Sequence, residues 1–142
     1  MGVPIQIVFD CADPDRVARF WAEALGYEFP PPPEGHATWE DFLRAMGVPE
    51  SEWNSKSAIV DPEGTRPRIY FQRVPEPKTV KNRMHIDISV GAGHEPKDRL
   101  PLIDAEVNRL TELGARKIRS YEEEGHYWVT MQDPEGNEFD VQ

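Results

Sequence analysis

Alternation opens the chain. Ile5, Ile7 and Phe9 fall on one face of an extended stretch, and Gln6, Val8 and Asp10 fall on the other. That period of two predicts a strand over 5–9. The period then changes. Val17, Phe20, Trp21, Ala24 and Leu25 recur at helical spacing and predict an amphipathic helix. Asp13 is placed to cap it, Pro14 to open it and Gly26 to end it. Pro30 to Pro33 then exclude helix or central strand. Thr38 to Asp41 resembles a capping box, and Trp39, Phe42, Leu43 and Met46 follow at helical spacing until Gly47-Val48-Pro49. Strands are expected over 57–60 and 68–74. The second turns Tyr70 and Gln72 to one face, Ile69 and Phe71 to the other.

After a proline- and lysine-bearing connector the pattern starts again. A strand is expected over 84–90, with Met84, Ile86, Ile88 and Val90 on one face and His85, Asp87 and Ser89 on the other. A loop over 91–97 leads to a helix over 102–113, which turns Ile103, Val107 and Leu110 inward. Strands over 115–119, 126–131 and 138–142 complete it, with an acidic turn over 121–125. Local sequence repeats too. Asp61-Pro62-Glu63-Gly64 returns as Asp133-Pro134-Glu135-Gly136, and Ala24-Leu25-Gly26 is answered by Glu112-Leu113-Gly114. One unit, strand–helix–strand–strand–strand, is therefore written twice. The fold class is α+β, with helices covering one face of each sheet. Module one takes residues 1–79, with an unmatched insertion over 30–56, and module two takes 80–142. Duplication places matched residues about a pseudo-twofold axis, so they are expected to converge on one cavity.

With 142 residues the chain is expected to be a single domain. Its halves are small for independent stability and are expected to share a sheet or a core. A net charge of −10 and a pI near 4.8 argue against nucleic acid, which needs a basic face. No apolar run approaches the roughly 20 residues of a membrane span. The single cysteine, Cys11, and the absence of a signal-peptide pattern lead to an expected cytoplasmic location. Cys11 reads as a small buried residue and His126 as a surface loop histidine. No phosphate-cradling glycine loop, HExxH helix or CxxC pair occurs.

The residues that carry a family likeness are Asp13 to Trp21, Leu25-Gly26-Tyr27, Pro67 to Gln72, Lys81 to Ile88 and Asp133 to Phe139. In this order they resemble the vicinal oxygen chelate superfamily, in its glyoxalase-like and bleomycin-resistance-like branch. The resemblance implies two βαβββ modules forming a cup-shaped mixed sheet with helices on the outer face. It also implies a small-molecule ligand and a homodimer. In metal-using members the first and last strands of each module supply the ligands. Carried over by position, these are Gln6, His85 and Asp140, with either Tyr70 or Gln72 in the fourth place. The implied cofactor is a divalent ion, Zn, Ni, Fe or Mn.

The resemblance gives His85 and Asp140 the catalytic acid–base role, and Gln6, Tyr70 and Gln72 substrate contacts. Trp39 and Trp53 of the insertion would line the site or close over it. Two functions stay open. One is a metal-dependent lyase or isomerase of the glyoxalase/dioxygenase superfamily. The other is non-catalytic binding of a small molecule, as in bleomycin resistance. The ligand set departs from the family pattern by placing amide or phenol where imidazole and carboxylate are expected, and neutral amides are weak ligands for Zn or Ni. True lactoylglutathione lyase activity is therefore not expected.

Overall fold

The computed structural model describes every residue from Met1 to Gln142. The chain divides into two compact units, Met1–Pro77 and Lys78–Gln142. Seven strands form two sheets, one in each unit, rather than a shared sheet.

The first unit begins with β1 (Ile7–Cys11) and α1 (Pro14–Leu25). Asp13 caps α1 through its side chain, which accepts from the Arg16 N–H, and Gly26 ends it in the left-handed region at φ 68°. The helix buries Val17, Ala18, Phe20, Trp21 and Ala24. Phe9 lies 5.2 Å from Trp21 and 5.4 Å from Phe71, ring centre to ring centre, so the strand and helix stripes meet as the periodicity predicts. The short helix α2 (Trp39–Ala45) follows and buries none of its residues. Then come β2 (Lys56–Ile59) and β3 (Ile69–Arg73), in the order β1-β3-β2. α1 packs on β2 and β3.

The second unit repeats the design with β4 (Ile86–Ile88), α3 (Pro96–Glu112), β5 (Arg116–Glu123), β6 (His126–Gln132) and β7 (Glu138–Val141). The strand order is β4-β7-β6-β5. In both units the first strand pairs parallel with the last, and the remaining pairs are antiparallel. Ile103, Val107 and Leu110 of α3 are buried, as are Val129, Met131, Phe139 and Val141 of the sheet beneath it.

Several expectations are corrected. The strand expected at 5–9 runs from Ile7 to Cys11, because its ladder with β3 begins at Ile7↔Ile69, and Ile5 is exposed. The strand expected at 84–90 shrinks to Ile86–Ile88, the stretch that β7 pairs, which leaves Met84 exposed. The helix expected from Leu102 starts at Pro96, with Pro101 one turn inside it. The acidic segment after Arg119 is strand as far as Glu123, because β6 supplies partners down to His126. The turn is only Glu124-Gly125, both at positive φ (51° and 80°), as a two-residue hairpin of the primed type requires. In module one the strand after α1 is reduced to one bridge, Glu28↔Val60. Pro30 to Pro33 follow at once and have no N–H to extend the ladder.

The repeated Asp-Pro-Glu-Gly segment is a structural turn. Asp61 is buried and accepts from the backbone N–H groups of Glu63, Thr65 and Arg66 and from the Thr65 hydroxyl. Asp133 is buried and accepts from the N–H groups of Glu135 and Asn137 and from the Asn137 carboxamide. Burial raises the Asp61 pKa, but the backbone donors outweigh it and hold the carboxyl below its ordinary value. No helix is long and apolar enough to cross a membrane.

Candidate functional site

In the second unit α3 packs on β5, β6 and β7, and β4 sets its apolar residues on the same face as those of β7 through their parallel register. Ile88, Phe139 and Val141 are buried. Strand alternation therefore sends His85, just before β4, with Asp87 of β4 and Asp140 of β7, to the opposite face. The parallel register sets Asp87 directly beside Asp140. Like charges in that position repel, and the structure shows how they are accommodated. The His85 Nε2 lies 3.2 Å from Asp87 Oδ1 and 3.4 Å from Asp140 Oδ2. The second oxygen of each carboxylate meets a neutral donor. Asp140 Oδ1 accepts from the Thr130 hydroxyl at 2.7 Å. Asp87 Oδ2 accepts from Gln142 Nε2 at 3.4 Å. Asp140 is the most enclosed of the three, its side chain 19% exposed against 47% for His85 and 42% for Asp87.

One ligand atom from each of His85, Asp87 and Asp140 can be chosen so that all lie within 4.8 Å of one another. Ligands about 2.1 Å from a shared ion are at most about 4.2 Å apart. Small rotamer changes of His85 and Asp87, both nearly half exposed, bring the ligand atoms into that range. One imidazole and two carboxylates form a mixed nitrogen and oxygen set suited to Mn, Fe or Zn. The residues thus fit a divalent ion. Sequence reasoning brought His85 and Asp140 forward but did not place Asp87 among the ligands. The available signal was its position two residues from His85 on a strand, which puts both on one face.

The first unit carries the same frame with different chemistry. Val8↔Tyr70 in the β1–β3 ladder stands where Asp87↔Asp140 stands in β4–β7. Gln6 precedes Val8 by two, as His85 precedes Asp87. The register therefore matches Tyr70, not Gln72, to Asp140. Gln72 pairs with Asp10, and its Nε2 donates to Asp10 Oδ1 at 2.7 Å. Its counterpart Gln142 donates to Ser89 Oγ at 3.3 Å. Gln6 Oε1 accepts from Arg68 Nη1 at 2.6 Å, and the Arg68 guanidinium carbon lies 5.5 Å from the Tyr70 ring centre.

Trp39 and Trp53 brace the 30–56 segment itself. Their indole N–H groups donate to the carbonyls of Pro30 and Val48, both at 2.9 Å. Asn54 ties the end of that segment to the start of α1, accepting from the Asp15 N–H and donating to Asp13 Oδ1, both at 2.8 Å. That hydrogen bond is the chief reason Asp13 sits below its ordinary pKa. Cys11 is buried, with its Sγ 3.5 Å from the Gln72 carbonyl, and His126 is exposed at the hairpin end of β6.

Comparison with known proteins gives this frame a family. The chain is similar to a glyoxalase/bleomycin resistance protein/dioxygenase family enzyme from Burkholderia phytofirmans PsJN, with 15% identity, a TM-score of 0.62, and coverage of 96% of this chain and 94% of that one. A variant of the fosfomycin resistance protein FosX from Listeria monocytogenes, complexed with Mn(II) and 1S,2S-dihydroxypropylphosphonic acid, matches at 10% identity and a TM-score of 0.62, covering 100% and 90%. A possible glyoxalase from Bacillus cereus matches at 15% identity and a TM-score of 0.58, covering 100% and 98%. At these identities the likenesses concern the fold. No curated protein matches the chain. The family model of the glyoxalase-like domain matches residues 6–142, and the chain therefore belongs to that family, within the vicinal oxygen chelate superfamily.

Proposed function

We propose that this protein binds a small molecule bearing adjacent oxygen atoms at a divalent metal held by His85 and Asp140. The reaction class is that of a metal-dependent lyase or isomerase, and residues 1–142 act as one glyoxalase-like domain. One observation carries the reading. His85 Nε2 and Asp140 Oδ2 lie 3.4 Å apart on the sheet face away from α3, and Thr130 fixes the other carboxylate oxygen. Hydrogen bonding from a neighbouring hydroxyl is how proteins orient a metal-binding carboxylate. The FosX complex from Listeria monocytogenes, which contains Mn(II) and a dihydroxypropylphosphonic acid, supports the ion and the ligand type by likeness of fold.

When bound, such an ion acts as a Lewis acid and stabilises negative charge on a coordinated oxygen. The chain's own residues do the rest. Thr130 holds Asp140 in one rotamer. His85 and Asp140 are also the candidates for moving a proton, since imidazole and carboxylate are common groups in general acid–base catalysis. Gln6, Tyr70 and Gln72 lie on the open face of the first unit, where their amide and phenol groups are proposed to hydrogen-bond a polar small molecule.

A second reading has its own support. Tyr70 occupies the place matched to Asp140, so that position supplies a phenol instead of a carboxylate. A chain lacking that carboxylate fits non-catalytic capture of a small molecule, and its net charge of −10 favours a cationic guest.

Elemental analysis of untagged protein, wild type beside His85→Ala, tests the first reading. Near-stoichiometric Zn, Ni, Fe or Mn that disappears in the variant is the expected result. No metal in either protein, even after incubation with divalent ions, would sink it. Metal-independent ligand binding without turnover would establish the second.

A further inference from the structure

The duplicated frame lets the two units be compared position by position. In the second unit the three donor positions hold His85, Asp87 and Asp140. In the first the same positions hold Gln6, Val8 and Tyr70. Val8 has no donor atom. Tyr70 offers a phenol in place of a carboxylate. Gln6 offers one carbonyl oxygen, and that oxygen already accepts from Arg68 at 2.6 Å. A guanidinium at this distance repels a dication approaching the same atom. The Tyr70 ring, 5.5 Å from the guanidinium carbon, favours keeping Arg68 where it is.

We infer that the metal centre belongs to the second unit alone: Asp87 supplies the third ligand and Gln6 supplies none. The inference rests on the metal-binding reading above and goes beyond it in the ligand set. Asp87 has the placement a ligand needs. Its Oδ1 points at His85 Nε2, and its Oδ2 is engaged by Gln142. It stands across a parallel ladder from Asp140, where two bare carboxylates repel. A dication shared by both removes that repulsion and replaces it with attraction. Three protein ligands still leave an ion coordination positions for the oxygens of a substrate. The arrangement needs no donor from β1, which explains how the first unit could give its matched positions to an amide, an aliphatic and a phenol.

The test is titration of the full-length protein with Mn(II), followed by calorimetry and by electron paramagnetic resonance. Four proteins are compared: wild type, His85→Ala, Asp87→Asn and Gln6→Ala. Asp87→Asn is isosteric at an exposed position, and an unchanged circular dichroism melt would verify its fold. Expected are losses of at least about tenfold in affinity for His85→Ala and Asp87→Asn, and a change of less than about twofold for Gln6→Ala. Wild-type affinity in Asp87→Asn, or a tenfold loss in Gln6→Ala, overturns the assignment and leaves the metal reading standing. Wild-type protein that takes up no Mn(II), zinc or nickel overturns both.

Discussion

In the first unit Val8 faces Tyr70 across a parallel ladder, and in the second Asp87 faces Asp140 at the same place. The backbones around the two pairs agree in strand order, in parallel and antiparallel pairing, and in an Asp-anchored turn before the last strand. The side chains on the open face do not agree. One face carries an amide, a phenol and an arginine, while the other gathers two carboxylates and an imidazole. Buried positions maintain the frame, and exposed positions on the same strands have diverged because packing does not constrain them. Chemistry in a duplicated fold can therefore concentrate in one copy without cost to either core.

The largest test addresses the frame. Trp21 and Leu110 are the buried anchors of α1 and α3. Trp21→Ala is expected to cost about 3–5 kcal/mol and Leu110→Ala about 2–5 kcal/mol, by urea denaturation. Hydrogen exchange then separates the units. Trp21→Ala should lower protection in β1, β2 and β3 more than in β4 to β7, and Leu110→Ala should do the reverse. Equal loss everywhere in both variants would mean the units open as one cooperative block.

The next test tries to erase the difference. Gln6→His, Val8→Asp and Tyr70→Asp together rebuild the donor positions of the second unit on the first. If matched register is what makes the site, Mn(II) stoichiometry should rise from one to two per chain. A value that stays at one would show that elements beyond these positions, such as the Thr130 hydroxyl or the removal of Arg68, are also required.

How much of this was legible in the sequence follows from how local each signal is. α1 could be read whole, because its stripe, its Asp13 cap and its Gly26 stop all lie within one segment. The open-face residues could be read by counting in twos. Strand lengths could not, since a strand lasts only as long as its partner. Thus β4 is cut to Ile86–Ile88 by the short β7, and β5 is carried to Glu123 by the long β6. The choice between Tyr70 and Gln72 needed the β1–β3 register, which links residues 62 apart in sequence, as in the Gln72–Asp10 hydrogen bond. Asp87 was passed over for the same reason. Its two-residue spacing from His85 was visible, but its pairing with Asp140 was not. Trp39 and Trp53 suggested a ligand surface by residue type alone, and the structure shows their N–H groups spent on the carbonyls of their own segment.

A narrower test concerns the support of the acidic face. Thr130→Val keeps the shape of the side chain and removes the donor to Asp140. Metal affinity is expected to fall about tenfold, with the melting temperature little changed. An unchanged affinity would mean that Asp140 needs no orienting partner. The repeated turn offers a pH test on the first unit. Asp61 has its folded pKa held below the ordinary 3.8, so the stability it contributes is present above that value and lost as pH falls through the folded one. Urea midpoints of wild type should therefore drop below about pH 4, and Asp61→Asn should start lower at pH 7 and show a shallower acid limb. Parallel acid limbs would remove Asp61 from the cause.

The smallest expected effect sharpens the contrast between the full β5–β6 ladder and the single bridge that replaces it in the first unit. Beyond Val60 the first unit has a proline run and no hairpin. The second has a two-residue turn whose first position, Glu124, holds a positive φ of 51°. A primed turn favours Asn-Gly there, because asparagine tolerates the left-handed region better than glutamate. Glu124→Asn is expected to stabilise the protein by up to about 1 kcal/mol, and the gain should appear as slower exchange of the β5 and β6 amides only. It also removes one charge from the run Glu122-Glu123-Glu124, which eases repulsion at the hairpin tip. Glu124→Gln separates the two causes. If glutamine gives the full gain, charge and not backbone strain limits the hairpin. If only asparagine does, the turn conformation limits it, and the length of β5 depends on a residue that the acidic sequence alone had marked as loop.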